Sequence, residues 1–156
     1  MEDAENKVKL AKDFCKEVHQ GQVDKAGEPY YKHPFAVAEY FEGNDPLCVI
    51  CALLHDTLED CEKNGLSREY VAKYIKENFG ESVLSIVEKL TKKRWQFYCR
   101  YLDSFEKGSI AYRVKVADVE HNFSRLDKLG VKGKKLLKKY NKARKILGVT
   151  SSFDLK

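Results

Sequence analysis

The sequence predicts an all-α fold, a compact bundle of about eight helices, and three observations lead there. Apolar residues recur at helical spacing through most of the chain. Only three prolines and nine glycines interrupt 156 residues. No stretch alternates apolar and polar residues in the manner of a half-buried strand.

The elements follow in order. Ala4 to His19 carries Val8, Ala11, Cys15 and Val18 on one helical stripe. "GQVDKAGEPYYKHP" reads as a loop, with Gly21 as a helix stop, and Pro34 opens a short helix to Phe41. Asp45-Pro46 is a cap followed by a first-turn proline, and the helix it opens is expected to run on through "ALLHDTLED". Ser67 opens a helix to Phe79, which Gly80 closes. Further helices are expected over Glu81–Thr91, Lys93–Lys107, Ser109–Leu129 and Lys132–Leu147. One domain over 1–156 accommodates all of them, and there is no internal repeat.

Bulk properties narrow the function classes. The chain is 43% hydrophobic and 34% charged, ordinary for a globular protein, and its net charge of +5 favours anionic ligands. The longest apolar run, "PLCVICALL", is half of what a membrane span needs, so no membrane association is expected. "MEDAENKVK" lacks the apolar core of a signal peptide, and a cytoplasmic location is the expectation. Five cysteines without framework spacing fit reduced thiols; Cys48 and Cys51 lie in an apolar run and read as core.

The chemistry concentrates in "HDTLED". On a continuous helix His55, Asp56, Glu59 and Asp60 fall within an arc of ~140°, opposite Leu47, Ile50, Leu54, Leu58 and Cys61. Three adjacent carboxylates with no interleaved cation repel one another, and a divalent ion relieves that repulsion. On spacing alone a metal site and a solvated acidic face are both open. "KVADVEHN" repeats the logic: Asp118 and Asn122 are four apart, Lys115 and Arg125 lie on the same side, and Asp118 follows Val114, Val116 and Ala117. His33, at a helix start, adds a second imidazole. Two histidines and two aspartates form a mixed donor set suited to manganese, iron, zinc or magnesium.

Four ordered blocks carry a family resemblance: "HQGQVDKAGEPYYKHP" (19–34), "ALLHDTLED" (52–60), "FGESVLSIVEKLTK" (79–92) and "RVKVADVEHN" (113–122). The sequence resembles the HD-domain hydrolases, specifically the hydrolase domain of RelA/SpoT alarmone enzymes and their free-standing small alarmone hydrolase relatives. The resemblance implies an HD-domain helical bundle with one divalent metal, typically Mn²⁺, held by His33, His55, Asp56 and Asp118. It implies that Glu59 and Asp60 orient and activate the attacking water, and that Asn122 lies near metal and nucleotide. The implied reaction is hydrolysis of the 3′-pyrophosphate of ppGpp to GDP and pyrophosphate. Lysines would offset the substrate's charge, with Lys25 and Lys115 as candidates. No synthetase domain fits in 156 residues, so a bifunctional enzyme is not expected.

The chain departs from the family pattern around the nucleotide. The family often has arginine where Asp24 stands, and that arginine stacks on the base, a contact of about 0.5–2 kcal/mol. Val119 and Ser124 replace further arginines, and Arg125 stands where threonine is usual. Asp24 is a candidate to accept hydrogen bonds from a guanine edge or to repel the substrate. Base identity is therefore open: ppApp, a 2′-phosphatase action on NADPH, and a non-catalytic nucleotide sensor are the alternatives to ppGpp hydrolysis.

His19 reads as a structural or supporting residue and His121 as a core histidine; Tyr30 and Tyr31 either line the pocket or pack the turn. Lys132–Lys145 holds eight cations in fourteen residues with an apolar stripe of Leu136, Tyr140, Ala143 and Leu147. It reads as a docked helix with a solvated basic face, and no nucleic-acid partner is expected. A small-molecule nucleotide is the expected partner; the sequence does not specify an oligomeric state.

Overall fold

The computed structural model describes residues 2–43 and 45–149. Among these residues nine α-helices and no strand are present: α1 (Glu2–Val18), α2 (Lys32–Glu39), α3 (Pro46–Leu54), α4 (Thr57–Asp60), α5 (Arg68–Phe79), α6 (Glu81–Leu90), α7 (Tyr98–Asp103), α8 (Ile110–Ser124) and α9 (Val131–Leu147). Short 3₁₀ turns follow α4 at Cys61–Asn64 and α8 at Leu126–Leu129.

α3 is the axis of the bundle. It is apolar on every side, and every residue from Cys48 to Leu54 is buried. α1, α2, α6 and α8 pack around it. Its start is fixed locally, since the Asp45 carboxylate accepts from the Leu47 N–H at 3.0 Å and Pro46 occupies the first turn. Ser67 and Ser109 cap α5 and α8 in the same way, each accepting at 3.1 Å from the residue three positions on. Phe14, Phe41, Leu53, Leu54, Ile75, Leu102 and Leu147 are the largest apolar side chains sealed in the core. Cys48 and Cys51 belong to it as free thiols, and burial pushes the Cys51 thiol up to about 12, which leaves it unreactive near neutral pH.

Three predicted helices need correction. The helix expected through "HDTLED" breaks after Leu54 and restarts at Thr57. The helix expected over Lys93–Lys107 is formed only from Tyr98 to Asp103. Its first part is instead a loop, in which the Lys92 ammonium donates to the carbonyls of Lys93 and Gln96, both at 3.0 Å. Trp95 and Phe97, in that loop, are each 77% exposed, so no apolar face was available to dock a helix there. The helix expected to Leu129 likewise ends at Ser124 and tightens into 3₁₀ geometry.

α9 closes over α8 and α7 at a point where bulk is excluded. A Cβ on Gly133 would lie 1.9 Å from the Leu126 carbonyl oxygen, so glycine lets α9 sit directly on the 3₁₀ turn. That contact brings the C-terminal helix to the mouth of the cleft described next.

Candidate functional site

Residues 19–31 form a loop rather than a helix or strand pair. Val23 and Pro29 make a single antiparallel bridge, with the Asp24 N–H donating to the Glu28 carbonyl at 2.8 Å and the Tyr30 N–H to the Gln22 carbonyl at 2.9 Å. This loop, His33 of α2, α4 with the turn after it, the C-terminal end of α8 with its 3₁₀ turn, and α9 enclose a cleft of about 470 Å³, within the usual range for a small-molecule site.

The break between α3 and α4 builds its floor. The His55 Nδ1–H donates to the Ala52 carbonyl at 2.6 Å, and the Thr57 hydroxyl donates to the Leu54 carbonyl at 2.7 Å. Side chains thus take carbonyls that the next helical turn would have used. Asp56 sits at φ −100°, ψ −2°, outside ideal helix. Adjacent residues on a continuous helix point ~100° apart and cannot share a target. Here the chain turns, and His55 Nε2 and Asp56 Oδ2 lie 3.0 Å apart. The single helical face expected for the quartet is corrected to two short segments meeting at a corner.

His33, from the first turn of α2, and Asp118, from α8, reach the same point. His33 Nε2 lies 2.9 Å from Asp118 Oδ1 and 3.8 Å from Asp56 Oδ2; His55 Nε2 lies 3.6 Å from Asp118 Oδ1. All four residues are buried or nearly so. Donor atoms around an ion at about 2.1 Å stand roughly 3.0–3.4 Å from one another. One donor atom each of His33, His55 and Asp56 lies within 4.8 Å of the others, close to the dimensions of a coordination shell, and Asp118 Oδ1 adjoins the two histidines. The set fits a divalent cation in three further respects. His55 Nε2 is buried and aimed at Asp56 and Asp118, while its Nδ1–H is committed to a carbonyl; against the downward push of burial the two carboxylates raise the imidazole well above its ordinary range, so Nε2 carries a proton that a bound cation would displace. His33 Nδ1 faces His121 Nδ1 at 2.7 Å, and burial and the neighbouring His33 lower the His121 imidazole to about 4, so it is a neutral acceptor for the His33 N–H. Finally, against the upward push of burial, His55 holds Asp56 well below the ordinary carboxylate range, and Lys115 with the two histidines does the same for Asp118. Both aspartates are therefore anionic.

Hydrogen bonds lock these carboxylates in place. The Tyr30 hydroxyl donates to Asp56 Oδ2 at 2.6 Å, Asn122 Nδ2 to Asp118 Oδ1 at 2.9 Å and Lys115 Nζ to Asp118 Oδ2 at 2.7 Å. Tyr30, left open by the sequence, and His121, read there as core, thus hold metal-site residues. Lys115 grips Asp118 under the Tyr101 ring and does not line the cleft, so its expected contact with substrate gives way to a contact with the site.

Glu59 and Asp60 border the cleft differently. Glu59 Oε1 accepts from the Lys92 backbone N–H at 2.9 Å, and burial, reinforced by Asp56, raises its carboxyl above the usual range. Asp60 is buried and has both oxygens engaged, by Gln22 Nε2 at 2.9 Å and Lys63 Nζ at 2.5 Å. Gln22 in turn faces His19 Nδ1 at 2.8 Å and accepts from Asn64 at 2.9 Å, so His19 supports Asp60 through one intermediary.

The departures at 24 and 125 meet in space. Asp24 Oδ1 accepts from the Ala26 and Glu28 N–H groups at 2.8 and 3.0 Å, and its Oδ2 pairs with the Arg125 guanidinium. Asp24 therefore lacks the free carboxylate expected for direct base recognition. Lys25 lines the cleft, together with Arg125, Lys63 and, from the basic helix, Lys139 and Tyr140. Burial, then Lys25 and Lys115, lower the Lys139 ammonium, which stacks 4.8 Å over the Tyr98 ring. Part of the supposedly solvated face of α9 is a wall of the site.

Comparison with known proteins agrees with this geometry. Residues 11–96, more than half of the chain, match the family described as HD domain. A guanosine-3′,5′-bis(diphosphate) 3′-pyrophosphohydrolase of Aquifex aeolicus is 44% identical over 87 residues, 54% of this chain and 12% of that protein. The protein of the same name from Haemophilus influenzae is 33% identical over 129 residues, 74% of this chain and 18% of that protein. The chain thus spans less than a fifth of the length of these relatives. A solved structure described as a metazoan ortholog of SpoT that hydrolyzes ppGpp and plays a role in starvation responses shares the fold, with a TM-score of 0.75 and 20% identity over 96% of this chain and 91% of that one. No helix among the described residues is long and apolar enough to cross a membrane.

Proposed function

The chain belongs to the HD-domain family, and from that premise we propose that it hydrolyses the 3′-pyrophosphate of ppGpp, releasing GDP and pyrophosphate. The observation that carries the proposal is the convergence of His33, His55, Asp56 and Asp118 at the floor of a cleft bordered by two acids and ringed by cations. Those four residues would hold one divalent ion, with Mn²⁺ the proposed occupant. When bound, such an ion acidifies water and polarises a phosphoryl oxygen.

The chain's own groups supply the rest. Lys25, Lys63 and Lys139 offset the negative charge of the pyrophosphate. Glu59 is the proposed general base: its carboxyl is raised by burial, one oxygen is anchored by the Lys92 N–H, and it lines the cleft. Asp60, clamped by Gln22 and Lys63, orients the water. Water adds to the phosphorus bonded to O3′, and the O3′–P bond breaks with its electron pair on the 3′ oxygen. The proton taken by Glu59 then returns through solvent to that oxygen. Asn122 and Tyr30 keep the two aspartates from rotating.

The experiment is an assay of pyrophosphate and phosphate release with Mn²⁺, comparing ppGpp, ppApp and NADPH. Pyrophosphate from ppGpp is the expected product. Phosphate from NADPH alone makes the protein a phosphatase, and nucleotide binding without turnover makes it a sensor.

A further inference from the structure

Two cleft residues follow Asp118 along one face: Asn122, four positions on in α8, and Arg125, the C-cap of that helix, three beyond. At 1.5 Å per residue Arg125 stands about 10 Å from Asp118 along the helix axis. The wall around it changes character. Val23 neighbours Asp24, Leu126 neighbours Arg125, and Leu129 and Leu136 lie on the adjoining 3₁₀ turn and α9; these four are the aliphatic residues of the cleft. A flat apolar body with polar edges matches such a wall, and a purine base is that body.

The guanidinium there is held rigidly. Asp24 cannot swing away, because two backbone N–H groups fix its other oxygen, and it engages one terminal nitrogen of Arg125. Arg125 is three-quarters enclosed, its side chain 22% exposed, and its remaining N–H donors have no partner among the described residues. Those donors need paired acceptors. Guanine presents O6 and N7 side by side, whereas adenine presents N7 beside an amino donor.

We propose that Arg125, positioned by Asp24, reads the purine base and selects guanine over adenine. The proposal deepens the ppGpp reading by assigning the base to the aliphatic end of the cleft, and rests on that reading for the orientation of the nucleotide. Arg125 is the contact residue; Asp24 acts through it.

Equilibrium binding of GDP and ADP to the manganese-loaded full chain tests this without requiring turnover. Wild-type protein is expected to bind GDP roughly 5- to 150-fold more tightly than ADP, the range of one bidentate arginine–guanine pair. Arg125→Gln should bring the ratio close to one with Mn²⁺ content unchanged. Arg125→Lys should keep overall affinity while shrinking the ratio, because charge survives and the fork does not. Asp24→Asn should lose part of the preference and Asp24→Glu restore it, a rescue that a merely structural role would not show. Equal binding of the two nucleotides by wild type, no binding of either, or a preference that persists in Arg125→Gln overturns the proposal. Turnover of ppGpp is scored separately: a GDP preference that depends on Arg125 in a protein that does not hydrolyse ppGpp would sink the catalytic reading and leave the base-reading role standing.

Discussion

The two ends of the cleft are made in different ways. The floor consists of four buried or nearly buried residues from two helices and one corner, each held by a hydrogen bond that leaves little freedom: Tyr30 with Asp56, Asn122 and Lys115 with Asp118, His121 with His33 and the Ala52 carbonyl with His55. The rim consists of long side chains from a loop, the turns after α4 and α8, and α9, and it is fixed at two pairs, Asp24 with Arg125 and Asp60 with Lys63. A rigid, desolvated floor suits chemistry that tolerates little displacement. A rim of arginine and lysine suits recognition that differs among relatives, since its residues can be exchanged without disturbing the core. Substitutions at the floor should therefore change metal binding and rate together, and substitutions at the rim should change KM.

The largest effect is expected from Asp56→Ala, which removes a proposed metal ligand and leaves the Tyr30 hydroxyl unpaired. Mn²⁺ binding by calorimetry and hydrolysis should both fall below detection, and full activity in a metal-free variant would break the distinction between floor and rim. Glu59→Gln comes next. The shape is kept and the basicity lost, so kcat should fall by about 10²–10⁴-fold with Mn²⁺ affinity intact. His121→Ala should weaken Mn²⁺ binding by roughly 10–100-fold through a freed His33 ring, with excess Mn²⁺ restoring much of the rate. Lys139→Ala is the smallest. KM should rise by roughly tenfold, the cost of one charge-assisted hydrogen bond, while kcat and metal affinity stay as they are. A change in metal affinity there would show that α9 supports the floor as well as the rim.

How much of this was legible in the sequence follows the same division. His33, His55, Asp56 and Asp118 stood out because each is a polar residue at a helix start or behind an apolar run, and the structure brings all four together. Their geometry was not legible. A continuous helix was expected through residues 46–61, and only the bonds from His55 to Ala52 and from Thr57 to Leu54 reveal the corner that makes neighbours converge. Local propensity carries no warning of it, since histidine and threonine are tolerated within helices. The rim was harder. Arg125 was placed on the side of Asp118 and Asn122, but its partner Asp24 is 101 positions away, and nothing in a list of 29 cations marks Lys63 or Lys139 as reaching the cleft. Lys115 was singled out for its place on the face of Asp118, and that proximity is what commits it to Asp118 instead of substrate. The loop from Lys92 to Phe97 misled for a related reason. Its composition permits a helix, while the Lys92 ammonium takes the carbonyls of Lys93 and Gln96.

Pyrophosphate release from ppGpp should be followed while Mn²⁺ is titrated into metal-stripped protein. The proposed site predicts no turnover without metal, a rate that rises linearly to one ion per chain and then levels, and no recovery at any Mn²⁺ concentration in Asp56→Ala. Turnover in the stripped protein, or an unchanged rate in that variant, would contradict a reaction centred on His33, His55, Asp56 and Asp118.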